Sequence, residues 1–135
     1  MPMVSAAGTV SLRSQANSRL VNATNGSQLI ASSTAIGTTE QFDLIDRGNG
    51  AIALCARSNN QYVCAENAGA QPLIANRTAI GQWETFQLIR NPDGTVSLRS
   101  QANDNYVCAE NAGAQALIAN RTAIGTWEKF DLLNN

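Results

Sequence analysis

Two tryptophans, each followed by a glutamate, are the side chains best suited to chemistry in this 135-residue chain: Trp83-Glu84 and Trp127-Glu128. A flat indole suits the apolar face of a sugar ring, and a neighbouring carboxylate or amide can exchange hydrogen bonds with ring hydroxyls. The surrounding polar residues keep a fixed interval. Glu66-Asn67 and Asn76-Arg77 return 44 residues later as Glu110-Asn111 and Asn120-Arg121, so one constellation is written twice. Tyr62 and Tyr106 precede it, each with a hydroxyl able to line a pocket, while Arg77 and Arg121 suit bracing a loop through carbonyls or through Glu66 and Glu110. A core needs its apolar positions repeated but not its polar ones, which favours two equivalent ligand sites. Two simpler causes stay open: a recent internal duplication would repeat polar residues without purpose, and the indoles could cap the core while the glutamates bind a backbone turn.

The absences narrow the chemistry. Histidine is missing, which removes the usual general base and the commonest metal ligand, so catalysis would rest on carboxylates. Cys55, Cys64 and Cys108 contain no close-spaced pair and make no zinc site; neither a metal nor a cofactor is expected. Cys55 and Cys64 flank an expected hairpin closely enough for a disulfide, with partly buried free thiols as the alternative. A net charge of −1, both signs spread along the chain, offers no basic stripe for phosphates, so nucleic acid is not an expected partner. No apolar run approaches the roughly 20 residues that cross a bilayer, and Met1 to Gly8 lacks the pattern of a signal peptide. No membrane association is expected.

The elements that must position these residues follow from the repeat. Tyr62 to Phe86 returns almost unchanged at Tyr106 to Phe130, and a worn copy runs from Leu20 to Phe42. Gly8 to Ser14 and Gly94 to Ser100 alternate apolar and polar residues as half-buried strands do, and Gly50 to Ala56 is a looser version. The turns at Asn17-Ser18, Asn59-Asn60 and Asn103-Asp104 lead to second strands at Leu20, Tyr62 and Tyr106. Third strands are expected at Leu29-Ile30-Ala31, Leu73-Ile74-Ala75 and Leu117-Ile118-Ala119, and fourth strands around Phe42, Phe86 and Phe130. Gly37, Gly81 and Gly125 suggest a backbone angle that other residues tolerate badly.

Four strands in each of three copies, without a helical period, point to an all-β single domain over residues 1–135, with repeats at about 8–47, 48–91 and 92–135. The count and period favour a β-trefoil over a propeller, for which three blades are too few. Leu12/Leu54/Leu98, Val21/Val63/Val107, Ile30/Ile74/Ile118, Ile36/Ile80/Ile124 and Phe42/Phe86/Phe130 are its expected threefold core. The first copy departs at the site. Thr39-Glu40 stands where the others have Trp-Glu, Asn22-Ala23-Thr24 replaces Cys-Ala-Glu, and Ser32-Ser33 replaces Asn-Arg. Joint loss with the core kept predicts two working sites and a degenerate third at Thr39 and Glu40. The triplets at Asn22, Asn25, Asn76 and Asn120 match the glycosylation pattern but read as turn chemistry in so polar a chain.

The words Tyr-Val-x-Ala-Glu-Asn, Leu-Ile-Ala-Asn-Arg, Ala-Ile-Gly and Trp-Glu-x-Phe together resemble fascin-like β-trefoil modules. The similarity is to bacterial modules classed with carbohydrate-binding modules of family 92 and, more distantly, family 13. It implies a non-catalytic lectin-like module that binds β-1,3- or β-1,6-glucan through Trp83-Glu84 and Trp127-Glu128. It also implies a secreted setting, with a glycoside hydrolase domain in the same parent chain. Animal fascins, more distant still, bundle actin, which makes a protein-binding trefoil the alternative. A glycosidase would need two facing carboxylates, and Glu84 and Glu128 are expected about a third of a turn apart around the barrel.

Overall fold

The computed structural model describes residues 6–24 and 27–135. The triplet at Asn25 lies outside the described residues. The first copy supplies β1 (Ala6–Ser14), β2 (Leu20–Asn22), β3 (Ile30–Ser33) and β4 (Phe42–Gly48). The second gives β5 (Ala51–Ala56), β6 (Gln61–Ala65), β7 (Leu73–Arg77) and β8 (Phe86–Arg90), and the third β9 (Val96–Ser100), β10 (Tyr106–Ala109), β11 (Leu117–Arg121) and β12 (Phe130–Asn134). A one-turn 3-10 helix precedes the last strand of each copy, at Thr38–Glu40, Gln82–Glu84 and Thr126–Glu128.

Antiparallel pairing closes six of the strands into a ring. β1 pairs with β4, β4 with β5, β5 with β8, β8 with β9, β9 with β12, and β12 returns to β1. Closure leaves this barrel without an exposed edge. The other six strands form three hairpins, β2–β3, β6–β7 and β10–β11. These hairpins meet one another: Leu29 N–H donates to the Leu73 carbonyl and Leu117 N–H to the Leu29 carbonyl, both at 2.9 Å. Each hairpin is also locked from below by an asparagine in the preceding turn. The side-chain amides of Asn17, Asn59 and Asn103 donate to the carbonyls of Ala31, Ala75 and Ala119 at 2.8–2.9 Å.

The core is threefold, with two corrections to the expected set. Phe42, Phe86 and Phe130 are fully buried, as are Val21, Val63 and Val107, and Leu12, Leu54 and Leu98 join them. The third-strand position that points inward is Leu29, Leu73 and Leu117, not Ile30, Ile74 and Ile118, which are half-buried. Strand alternation permits one of two adjacent apolar residues to face the core, and here the leucine and the following alanine do so. Ile36, Ile80 and Ile124 also lie outside, Ile36 43% exposed, because they precede the 3-10 turn and never enter the barrel. The strands expected to be half-buried are covered on both faces at Ser11, Ala53 and Ser97, all 0% exposed. Ser97 Oγ meets this burial by donating to the Glu128 carbonyl at 2.7 Å and accepting from Asn91 Nδ2 at 3.0 Å.

Candidate functional site

The 3-10 turn explains how Trp83 and Phe86 can belong to one short segment and yet face different surroundings. Gln82–Glu84 rotates the chain, so Phe86 enters the core while Trp83 stays half-buried at the surface. Glu84 holds that turn. Its Oε1 accepts the Gly81 N–H at 2.7 Å, and Thr85 Oγ1 donates to the Gly81 carbonyl at 2.8 Å. Glu128 does the same for Gly125 at 2.6 Å, and Glu40 for Gly37 at 2.8 Å. The glycines are therefore present for a different reason from the one expected. Gly81 has φ −124°, which any residue adopts, but a Cβ there would sit 3.2 Å from Glu84 Oε1. Room for the carboxylate at Gly81 and Gly125, more than backbone angle, favours glycine.

Arg77 is the hub of the second copy. Its guanidinium donates to Glu66 Oε1 at 2.6 Å and to Asn76 Oδ1 at 3.1 Å, and its Nε lies 3.8 Å from Glu84 Oε2. The guanidinium carbon is 5.9 Å from the centre of the Trp83 ring, at the outer range of a cation–π contact. The third copy repeats each contact: Arg121 donates to Glu110 at 2.7 Å and Asn120 at 3.1 Å, and lies 5.9 Å from Trp127. Both arginines brace, as their type suggested. Tyr62 and Tyr106 are half-buried and register-paired with Arg77 and Arg121 across their hairpins, so they adjoin the same cluster.

Four of the expected ligand residues, two in each of the second and third copies, have a clear structural role. Glu84 and Glu128 are only 7% and 6% exposed, and one oxygen of each is spent on the backbone turn. Asn67 and Asn111 lie at the exposed start of a left-handed run, where Asn67, Ala68 and Gly69 have φ of 54°, 55° and 90°. That turn throws the chain back so that Gly69 touches the amide of Asn103 in the next copy, where an added Cβ would come within 2.1 Å. Asparagine and glycine accept this region readily; alanine does not.

The cysteines join the cluster, which nothing in their spacing announced. Cys64 Sγ lies 3.5 Å from Glu66 Oε1, and Cys108 Sγ lies 3.5 Å from Glu110 Oε1. Burial, followed by hydrogen bonding to Glu84, pushes the Cys64 thiol up to about 12, and burial with Glu128 pushes Cys108 up as well. Cys55 pairs in register with Tyr62, not Cys64, and all three thiols are free.

The first copy solves the same problem with neutral groups. Glu40 Oε2 accepts the hydroxyls of Ser33 at 2.8 Å and Thr39 at 2.6 Å. Asn22, in the place of Cys64, donates to Ser32 at 2.7 Å and Ser33 at 3.1 Å, and accepts from Thr24 at 3.0 Å. Burial alone would raise the Glu40 carboxyl, but the donors Thr39, Gly37 and Ser33 together bring it below its ordinary value. This is a complete alternative network of neutral donors around the same glutamate.

No protein-family model matches the chain, and no characterised protein sequence matches it. In structure it is similar to a designed threefold-symmetric protein, ThreeFoil, with a TM-score of 0.85 and 22% identity over 95% of this chain and 99% of that one. The fold is a β-trefoil. The trefoil is also similar to a Polyporus squamosus lectin bound to the human-type influenza-binding epitope Neu5Aca2-6Galb1-4GlcNAc, with a TM-score of 0.84 and 12% identity over 96% of this chain and 50% of that chain. A further structure is an exo-beta-1,3-galactanase from Clostridium thermocellum, with a TM-score of 0.82 and 11% identity over 98% of this chain and 31% of that chain. The trefoil thus spans half of the lectin chain and about a third of the galactanase chain.

Proposed function

We propose that this trefoil is a non-catalytic carbohydrate-binding module that engages a polysaccharide through Trp83 and Trp127, with a β-glucan as the favoured polymer. The observation that carries the reading is internal to the chain. The first copy builds the same 3-10 turn and the same glycine–glutamate cap with Thr39 in place of tryptophan. An indole is therefore not required for the turn, and its presence at the surface of the other two copies calls for another role. A half-buried ring braced on one side by an arginine is a preorganised apolar platform for a pyranose. The carboxylates nearest the rings are committed to the cap, which supports binding rather than acid–base chemistry.

The reading extends to an extracellular module beside a glycoside hydrolase domain; a chain that matches about a third of a galactanase has the size of such a part. Two shallow sites on one rigid body gain by holding one polymer together, since the second contact forms at high effective concentration. Retention on insoluble β-1,3- and β-1,6-glucan tests this. Trp83→Ala and Trp127→Ala should each weaken retention, and the double variant should abolish it while the denaturation profile stays cooperative. Full retention by a folded double variant rejects the assignment.

A further inference from the structure

Between the third and first copies lies a cavity of about 580 Å³, within the range of roughly 300–1,000 Å³ typical of ligand sites. Its apolar wall is aliphatic: Ile30 from the first copy, Ile118 and Ala116 from the third, and Pro72 reaching in from the second. The stretch from the second strand to the third is two residues shorter in the first copy, counted from Leu20 to Ile30 against Tyr62 to Ile74. Gln28 bridges in register to Ile74 on its other side, which fixes the first-copy wall while leaving its side chain at the cavity.

The polar lining is neutral apart from one carboxylate. Gln28 and Gln115 bring primary amides that have no hydrogen-bond partner among the described residues. Asn120 uses its Oδ1 on Arg121, which leaves its NH2 free, and Glu110 uses Oε1 on the same arginine, which leaves Oε2 free. Amide donors and acceptors with one carboxylate oxygen, set around an aliphatic wall, match the hydroxyl rim and C–H face of a sugar ring. They do not match a phosphate, for which no free cation lines the cavity.

We propose that this cavity is a second kind of binding site, for one neutral pyranose residue, which adjoins the third-copy cluster through Glu110 and Asn120 but has no indole in its lining. It needs neither indole, so its failure and that of the tryptophan reading are told apart by a protein that lacks both. The test uses the Trp83→Ala/Trp127→Ala protein, so that any response comes from elsewhere, titrated with methyl β-glucopyranoside and methyl β-galactopyranoside and followed by amide and methyl NMR. Saturable shifts are expected at the Gln28 and Gln115 amides and the Ile30 and Ile118 methyls for at least one glycoside. Filling the cavity with Ala116→Trp should weaken this binding by about tenfold or more, and Gln115→Ala should weaken it in a protein whose spectrum is otherwise unchanged. No saturable shift with either glycoside overturns the proposal, and so does binding that survives Ala116→Trp in a folded protein. Equal shifts with cyclohexanol in place of the glycosides would show an unspecific apolar cavity and overturn it too.

Discussion

The two networks around the repeated glutamate make a quantitative prediction about exchanging one for the other. Arg77→Ser removes an ion pair to Glu66 whose partners are each about a third exposed (34% and 30%), worth ~0.2–1 kcal/mol after screening. It removes a cation–π contact of about 0.5–1 kcal/mol. It also strips the nearest positive charge, 3.8 Å away, from Glu84 Oε2, whose side chain is 9% exposed; a buried acceptor left short costs about 1–3 kcal/mol. Truncation to Arg77→Ala should therefore lose about 2–5 kcal/mol, and Arg77→Ser less, because its hydroxyl stands where Ser33 donates to Glu40 at 2.8 Å. Adding Trp83→Thr restores the first-copy donors, where Ser33 and Thr39 hydroxyls reach the equivalent oxygen at 2.8 and 2.6 Å. Comparison with a double variant that supplies no donor isolates the gain. Arg77→Ser/Trp83→Thr should be more stable than Arg77→Ala/Trp83→Ala by about 1 kcal/mol or more. Urea denaturation with unchanged m-values is the assay. Equal stability of the two double variants would refute the idea that hydroxyls substitute for the arginine.

Two further predictions concern single features. Ala68, at φ 55° inside the left-handed run, should be stabilised by Ala68→Gly by up to about 1 kcal/mol, seen as a higher urea midpoint; a loss of stability would show that the turn is held by something other than backbone preference. In the native protein at pH 8, iodoacetamide should modify Cys55 first and leave Cys64 and Cys108 unmodified until the protein unfolds. Both are buried, and burial holds their thiols far above that pH. Fast labelling of Cys64 in folded protein would contradict the burial of the cluster.

Most of the fold was legible because the repeat fixes each element three times. Phe42, Phe86 and Phe130, with Val21, Val63 and Val107, follow from periodicity alone, and they fill the barrel and hairpin core. The third strand was ambiguous for a local reason: Leu29-Ile30 offers two adjacent apolar residues, and only the meeting of hairpins, Leu29 to Leu73 and Leu117 to Leu29, decides which one turns in. The cap was readable in principle, since Gly81 followed three residues later by Glu84 is a helix-start pattern with the glutamate reaching back. Nothing in the sequence marks Ala68 for a left-handed angle. The cavity between copies three and one involves residues brought together by the meeting of the hairpins, and no local pattern announces it.

The pattern of differences between the copies says how the first copy came to differ. Glu40, Glu84 and Glu128 are the fixed point, because each closes the turn that leads into a core phenylalanine. Around that point Glu66 and Arg77 in the second copy correspond to Thr24 and Ser33 in the first, so one negative and one positive charge are exchanged together for two hydroxyls. Changing either alone carries a cost: without Arg77, Glu66 and Glu84 face each other uncompensated, and without Glu66 the arginine loses its shortest partner, at 2.6 Å. The indole belongs to the same linked set, since the arginine lies over it and Thr39 supplies a hydroxyl where the arginine is gone. Tryptophan, arginine and acid therefore form one unit that is present or absent as a whole. Substitutions that test the sites are best made as whole units, or at the indole alone, where no charge is left unpaired.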